Sequence, residues 1–163
     1  MTARATRSGI GWDSHRLVVG RPLILGGVHV EHDFGLDGHS DADVLTHAVI
    51  DALLGAAGLG DIGQHFPDTD PEFSGADSLG LLRESVARAA AAGWTPVYAD
   101  TTLVLEAPKL GEAREQMRAG VAAALGVGAD CVNVKATTGE GIGFVGRREG
   151  VAALAVVTVT SAG

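Results

Sequence analysis

SDADVLTHAVIDALLGAAG, residues 40–58, reads as a helix with one apolar face. Val44, Leu45, Ala48, Val49, Ala52 and Leu53 recur at the helical period. Ser40 and Asp43 have capping-box spacing, so Ser40 is the expected start, and Gly58 and Gly60 end the helix. His47 stands in line with Asp43 and Asp51 at i−4 and i+4. That polar stripe runs beside the apolar face, directed at a neighbouring strand.

On the N-terminal side, Ser8–His15 reads as a first strand. Pro22–Leu25 and Val28–Val30 flank the Gly26–Gly27 turn as a hairpin, and 34–39 reads as a loop. On the C-terminal side, Gly60–Gly75 is a long loop rich in Asp, Pro and Gly, a kind that is often functional in a compact domain. A helix over Leu79–Ala92 stops at Gly93, and a strand over Val97–Leu105 stops at Pro108. A third helix over Gly111–Leu125, a strand over Val132–Ala136, a glycine-rich loop and a final strand over Gly150–Thr160 follow. Val151–Val157 shows no alternation, which predicts a strand buried on both faces. The fold class is α+β: one domain, a mixed β-sheet with helices on one face. Residues 1–8 read as an N-terminal extension and 9–163 as the domain.

Composition narrows the function. The chain has 163 residues, 46% apolar but only 4% aromatic, so its core is built from Ala, Val, Leu and Ile. A net charge of −8 argues against a nucleic-acid surface. An anionic ligand would need a metal, local Lys or Arg, or backbone N–H groups. The single cysteine, Cys131, allows no internal disulfide and reads as a small buried residue, in keeping with a reducing compartment. No signal peptide and no membrane-length apolar run is seen. The expected location is the cytoplasm, without membrane partners.

Two segments carry the chemistry. Asp13 and His15 lie two apart on the first strand, so both side chains share one face. Taken alone, such a pair is commonly a strand-end salt bridge. Joined by His47, it makes a three-ligand set suited to zinc, with a fourth position open as in catalytic sites. His39, just before the expected cap, could meet an anion at the helix N-terminus. His29, His32 and His65 read as solvent-facing. After a strand, Thr137-Thr138-Gly139-Glu140-Gly141 offers hydroxyls and backbone N–H groups to phosphate, and Glu140 could complete a Mg²⁺ site. These residues alone would also suit a zinc-dependent phosphohydrolase, or a metal-stabilised module that captures diphosphates.

GWDSH (11–15), GHSDADVLTHAVIDALLGAAGLGDIGQHFPDTDP (38–71), EAPK (106–109) and VNVKATTGEGIGFVGRREG (132–150) together resemble the 2-C-methyl-D-erythritol 2,4-cyclodiphosphate synthase family. The likeness runs over nearly the whole chain from Gly9. It implies intramolecular phosphoryl transfer on a cytidine nucleotide, 4-diphosphocytidyl-2-C-methyl-D-erythritol 2-phosphate, with loss of CMP, in the non-mevalonate isoprenoid pathway of a bacterium. It assigns Zn²⁺ to Asp13, His15 and His47, and Mg²⁺ or Mn²⁺, held mainly by substrate phosphates, to the neighbourhood of Glu140. His39 and Thr138 match residues that stabilise the transition state. Matching substrate contacts are Ser14, Ser40, Asp61, Ile62, Gly63, Phe66, Pro67, Asp68, Thr69 and Asp70. The cytidine and phosphate pocket matches Leu105, Glu106, Ala107, Pro108, Lys109, Leu110 and Gly111, with Thr137 and Gly139.

The resemblance further implies a homotrimer whose sheet faces pack together and whose active sites are shared by two subunits. Metal and phosphate-loop residues of one subunit would face the nucleotide pocket of its neighbour. It also implies a prenyl diphosphate in a central channel lined by Trp12, Phe144 and Arg147. Three positions depart from the family's usual residues: Gly139 replaces a third Thr, Trp12 replaces Phe and Leu110 replaces Met.

Overall fold

The computed structural model describes residues 3–162; Met1, Thr2 and Gly163, the first two within the expected extension, lie outside the described residues. In chain order the elements are β1 (Thr6–Val19), β2 (Leu23–Leu25), β3 (Val28–Val30), β4 (Phe34–Leu36), α1 (Val44–Ala57), α2 (Ile62–His65), a 3₁₀ turn (Pro71–Phe73), α3 (Ser78–Ala91) and β5 (Trp94–Val104). Then come α4 (Ala113–Leu125), a second 3₁₀ turn (Ala129–Cys131), β6 (Val132–Thr137), α5 (Gly143–Gly146) and β7 (Gly150–Ser161). The main sheet has strand order β4-β1-β7-β5-β6, with β5 and β6 parallel and every other pair antiparallel, while β2 and β3 form the separate expected hairpin. The sheet is mixed, as the sequence predicts.

Strand β1 begins at Thr6, so residues 6–8 of the expected extension pair with Thr158–Thr160 of β7. The expected loop at 34–39 is half strand: β4 pairs with Leu17–Val19 of β1. Three residues carry too little alternation to reveal a strand. The expected loop over 60–75 holds α2 and the first 3₁₀ turn, each capped by an aspartate, Asp61 and Asp70. The glycine-rich loop holds α5.

Helix α1 is the centre of the core; Val44, Leu45, Ala48, Val49, Ala52 and Leu53 are all fully buried. Its cap is Asp43 and not Ser40. Asp43 accepts from the Thr46 N–H (3.0 Å) and hydroxyl (2.7 Å), and from the hairpin-turn N–H groups of Gly26 (2.8 Å) and Gly27 (2.7 Å). Burial pushes its carboxyl up, against the pull of these four donors. Ser40 instead accepts from the Ala42 N–H at 3.2 Å. The tertiary contact selects between two local cap candidates, because Gly26 and Gly27 would otherwise lose their acceptor. Asp43→Ala is therefore expected to cost about 3 kcal/mol, a lost cap plus a stranded buried N–H. Urea unfolding checks this, and a loss under about 1 kcal/mol would contradict it.

Strand β7 corrects the expectation of burial on both faces. Val151, Ala152 and Ala153 are buried, but beyond them burial alternates, and Leu154 and Val156 are 44% and 40% exposed. Helices cover one face of the sheet. The other face leaves Ile10 and Trp12 of β1 open beside them. Cys131 is half-buried. No helix among the described residues is long and apolar enough to cross a membrane.

Candidate active site

Strand β1 and helix α1 bring the sequence-predicted ligands together. Asp13 and His15 project from the same face of β1, and His47 projects at them from α1. Asp13 Oδ2 lies 2.8 Å from His15 Nε2 and 3.1 Å from His47 Nδ1, and the two imidazole nitrogens are 3.3 Å apart. One ligand atom from each residue falls within 4.8 Å of the other two. This close approach depends on glycine. A Cβ on Gly11 would fall 1.9 Å from the Ala48 carbonyl oxygen, so α1 rests directly on the β1 backbone. Asp43 and Asp51, the other members of the polar stripe, turn away: Asp43 caps the helix, and Asp51 accepts from the Ile62 N–H at 3.1 Å.

Electrostatics bind the three groups. Burial would raise the Asp13 carboxyl, but hydrogen bonds from His15 and His47, together with their charge, outweigh it and hold the carboxyl below its usual range. Burial would likewise lower the His15 imidazole; the hydrogen bond and charge of Asp13 and the Asp37 carbonyl overcome this and hold it above its usual value. The donor set fits a divalent metal such as zinc: two imidazoles and a carboxylate, half-buried, converging on one point. Ligation needs a bare nitrogen on each ring, so metal binding here competes with protons.

The triad forms the floor of a cleft of about 370 Å³ that His39, Ser40, Ile62, Gly63, Phe66, Pro67 and Asp68 also line. His39 lies over the loop, its Nε2 3.0 Å from the Asp70 carbonyl oxygen. With the cap moved to Asp43, His39 does not sit at the first turn of α1. Asp61 accepts from the Gln64 N–H at 3.0 Å and so shapes the loop, and Thr69 is exposed beside it.

A second cleft, of about 400 Å³, is lined by Leu105, Glu106, Pro108, Lys109, Leu110 and Gly111, with Thr137 and Thr138. The two clefts share no lining residue. Within one chain Thr137 and Thr138 therefore share a cleft with the 105–111 segment and lie apart from the Asp13, His15 and His47 triad. Gly139 ties the two loops: its N–H donates to Glu106 Oε1 at 2.5 Å. A Cβ at 139 would lie 3.0 Å from the Gly146 nitrogen and 3.1 Å from Glu106 Oε1, a tight fit that favours glycine there. Glu140 is exposed, has a left-handed φ of 54° and lines neither cleft. Ala107 lines a smaller pocket with Glu106, His32 and Arg148.

Ser14 and Phe144 line a shallow depression beside His15, and Arg147 pairs with Glu149 at 3.1 Å. That hydrogen bond and charge lower the Glu149 carboxyl and raise the Arg147 guanidinium. His29 and His32 face solvent as expected. His65 does not: it is half-buried, 2.8 Å from the Leu59 carbonyl oxygen, and its Nδ1 accepts from Arg88 at 2.9 Å. Sequence reasoning overlooked Ser78, Asp41 and Arg21. Ser78 Oγ lies 2.8 Å from His47 Nε2, and Arg21 donates to the carbonyls of Gly38 (3.1 Å) and Ser40 (3.0 Å), holding the loop that carries His39.

The sequence profile of the YgbB family matches residues 6–160. Proteins named 2-C-methyl-D-erythritol 2,4-cyclodiphosphate synthase from Bordetella avium (strain 197N) and Salinibacter ruber (strain DSM 13855 / M31) are each 62% identical to this chain, over 150 and 156 residues. Those alignments cover 92% and 96% of this chain and 93% and 99% of the relatives. A solved synthase of the same name, in a form with bound CDP, superposes with a TM-score of 0.86 at 40% identity, over 94% of this chain and 99% of that one. The bifunctional IspDF of Campylobacter jejuni superposes with a TM-score of 0.94 at 40% identity over 98% of this chain, which spans only 43% of that longer protein.

Proposed function

The chain belongs to the YgbB family, and on that premise we propose that it is an enzyme converting 4-diphosphocytidyl-2-C-methyl-D-erythritol 2-phosphate into 2-C-methyl-D-erythritol 2,4-cyclodiphosphate and CMP, within the non-mevalonate isoprenoid pathway. The observation that carries this reading is the Asp13, His15 and His47 triad on the floor of a cleft walled by His39 and the 62–68 loop. An oxygen of the substrate's 2-phosphate bonds to the β-phosphorus as the bond to CMP breaks, so the protein supplies no nucleophile. Zn²⁺ on the triad, and Mg²⁺ or Mn²⁺ held mainly by the substrate near Glu140, would offset repulsion between the two phosphates. The 62–68 loop holds the methylerythritol end, and Lys109 offers a point charge to the diphosphate of the cytidine end. The CDP-bound relative supports a cytidine nucleotide as ligand. Phosphorus NMR of the products tests the reaction: CMP with a cyclic diphosphate is expected, whereas inorganic phosphate or an open diphosphate would make the protein a hydrolase, and no turnover a binder.

Two clefts without a common residue support an active site shared between subunits. The exposed apolar strip supports a second copy as its cover: Ile10, Trp12, Leu154 and Val156 are 80%, 54%, 44% and 40% exposed on one sheet face. We read the assembly as a homotrimer. Lys109→Ala is expected to raise KM about tenfold or more and to weaken CMP binding. Unchanged CMP affinity in calorimetry would remove Lys109 from the site. Mixing His47→Ala with Lys109→Ala chains should restore about a quarter of the sites by random pairing, if each site joins two chains. An active monomer in light scattering would contradict the trimer.

Trp12, Phe144 and Arg147 support a channel on the three-fold axis that takes a prenyl diphosphate. In one chain Arg147 already has Glu149 as partner, so the anion must compete for it. Thermal shifts with prenyl diphosphates of increasing length should appear in the parent protein and shrink in Arg147→Ala; equal shifts in both would sink the idea.

A further inference from the structure

We infer that Asp41 and Ser78 are positioning residues that set which nitrogen of His47 keeps its proton, and so aim its bare nitrogen at the metal; this rests on the triad being a metal site. His47 presents Nδ1 to the triad and turns Nε2 the other way, 2.8 Å from Ser78 Oγ and 3.1 Å from Ser40 Oγ. Ser78 is fully buried, and its hydroxyl is also hydrogen-bonded to Asp41 Oδ1. Asp41 further accepts from the backbone N–H groups of Ser78 (3.0 Å) and Asp43 (3.1 Å).

The proton order follows from counting donors. A hydroxyl has one proton, and a carboxylate only accepts. Ser78 therefore donates to Asp41 and can offer His47 nothing but a lone pair. Nε2 must therefore carry a proton, and Nδ1, which donates to Asp13 while no metal is bound, is the nitrogen that a metal on the triad would meet bare. Ser40 cannot impose this order. Its hydroxyl has no carboxylate to hold its proton, so it can donate to Nε2 as readily as accept. On the other ring a backbone carbonyl does the same work: His15 Nδ1 lies 2.7 Å from the Asp37 oxygen, which only accepts, so Nδ1 keeps its proton and Nε2, which donates to Asp13 while no metal is bound, is the nitrogen that a metal would meet. With a metal bound, both rings would thus present lone pairs to one point. Outer partners of this kind fix ring orientation and typically change metal affinity 10- to 100-fold.

Geometry also gives the pair a second consequence. Ser78 is the first residue of α3, and Asp41 lies in the loop between β4 and α1. Their contact ties the wall of the cleft to the metal ligand.

The test measures zinc affinity by chelator competition, and the His47 ring signals of the zinc-loaded protein by nitrogen-15 NMR. Ser78→Ala removes the acceptor. Asp41→Asn keeps the size of the side chain; its amide N–H, turned to the Ser78 hydroxyl at the loss of the Asp43 N–H contact, frees the hydroxyl proton for His47 and favours the wrong tautomer. Both variants are expected to bind Zn²⁺ about 10- to 100-fold more weakly, and to lose the slowly exchanging Nε2–H proton signal seen in the parent protein. A merely structural role for Asp41 would leave that signal in place in Asp41→Asn. Zinc affinity and Nε2–H signal unchanged in both variants would overturn the assignment. His47→Ala in the same assay separates the two levels: if it still binds zinc like the parent, the metal site itself is wrong and the positioning role falls with it.

Discussion

The His47→Ala variant is expected to lose bound zinc and about three orders of magnitude or more of turnover, while keeping its fold. Among the described residues His47 supplies one of three donors that converge on the site, and removing it leaves Asp13 and His15, both from β1, with no donor from the facing helix. Alanine is the best helix former, so α1 should persist, and the apolar face that anchors it does not include position 47. Metal stoichiometry, circular dichroism and the phosphorus NMR assay together check the outcome. A variant with stoichiometric zinc and full turnover would end the metal assignment. A variant that unfolds would contradict the claim that α1 is held by its apolar face.

The second large effect comes from a residue with no side chain at all. Gly11→Ala should destabilise the protein by about 3 kcal/mol or more and weaken zinc binding with it. The new methyl would fall 1.9 Å from the Ala48 carbonyl oxygen and 2.8 Å from the Ala52 nitrogen, both backbone atoms that cannot rotate away. Helix α1 must then lift from β1. Gly11 precedes Asp13 by two residues, and Ala48 follows His47 directly, so the lift opens the triad. Gly9 is as tight, 2.2 Å from the Ala52 carbonyl oxygen, so the helix cannot pivot on that end. Gly55 provides the contrast. It lies in the same helix, is exposed, and its added Cβ meets nothing closer than 3.9 Å. Gly55→Ala should stabilise by up to about 1 kcal/mol. Urea unfolding and zinc titration of both variants decide the matter; a Gly11→Ala protein as stable and as zinc-loaded as its parent would contradict direct backbone packing.

Much of this was legible in the chain itself. Asp13 and His15 could be placed on one face because a strand has period two, and His47 on a helix because six apolar residues share its period. The 105–111 segment was legible as a motif, and the structure gathers all of it but Ala107 into one cleft. Short elements without a turn signal were not legible: β4 has three residues and α2 has four, and neither is marked as the Gly26–Gly27 turn marks the equally short β2 and β3. One side of β7 is open within the single chain. Apolar residues on both faces mark a surface that excludes water, but they do not say whether the cover belongs to the same chain.

The sequence by itself determined the longer helices and strands, the mixed sheet and the candidate set of Asp13, His15 and His47, since these depend on local period and on residue chemistry. Only the tertiary structure decided which aspartate caps α1, which cleft Thr137 and Thr138 join, and which buried hydroxyl meets His47. Asp43 and Ser40 are both good caps locally, and the choice fell to hairpin N–H groups 16 and 17 residues away. Ser78 stands 31 residues from His47 and carries no motif that links them. A hydrogen bond is won by whichever partner the packed core leaves within about 3 Å, and that distance is set by the whole fold rather than by any stretch of chain.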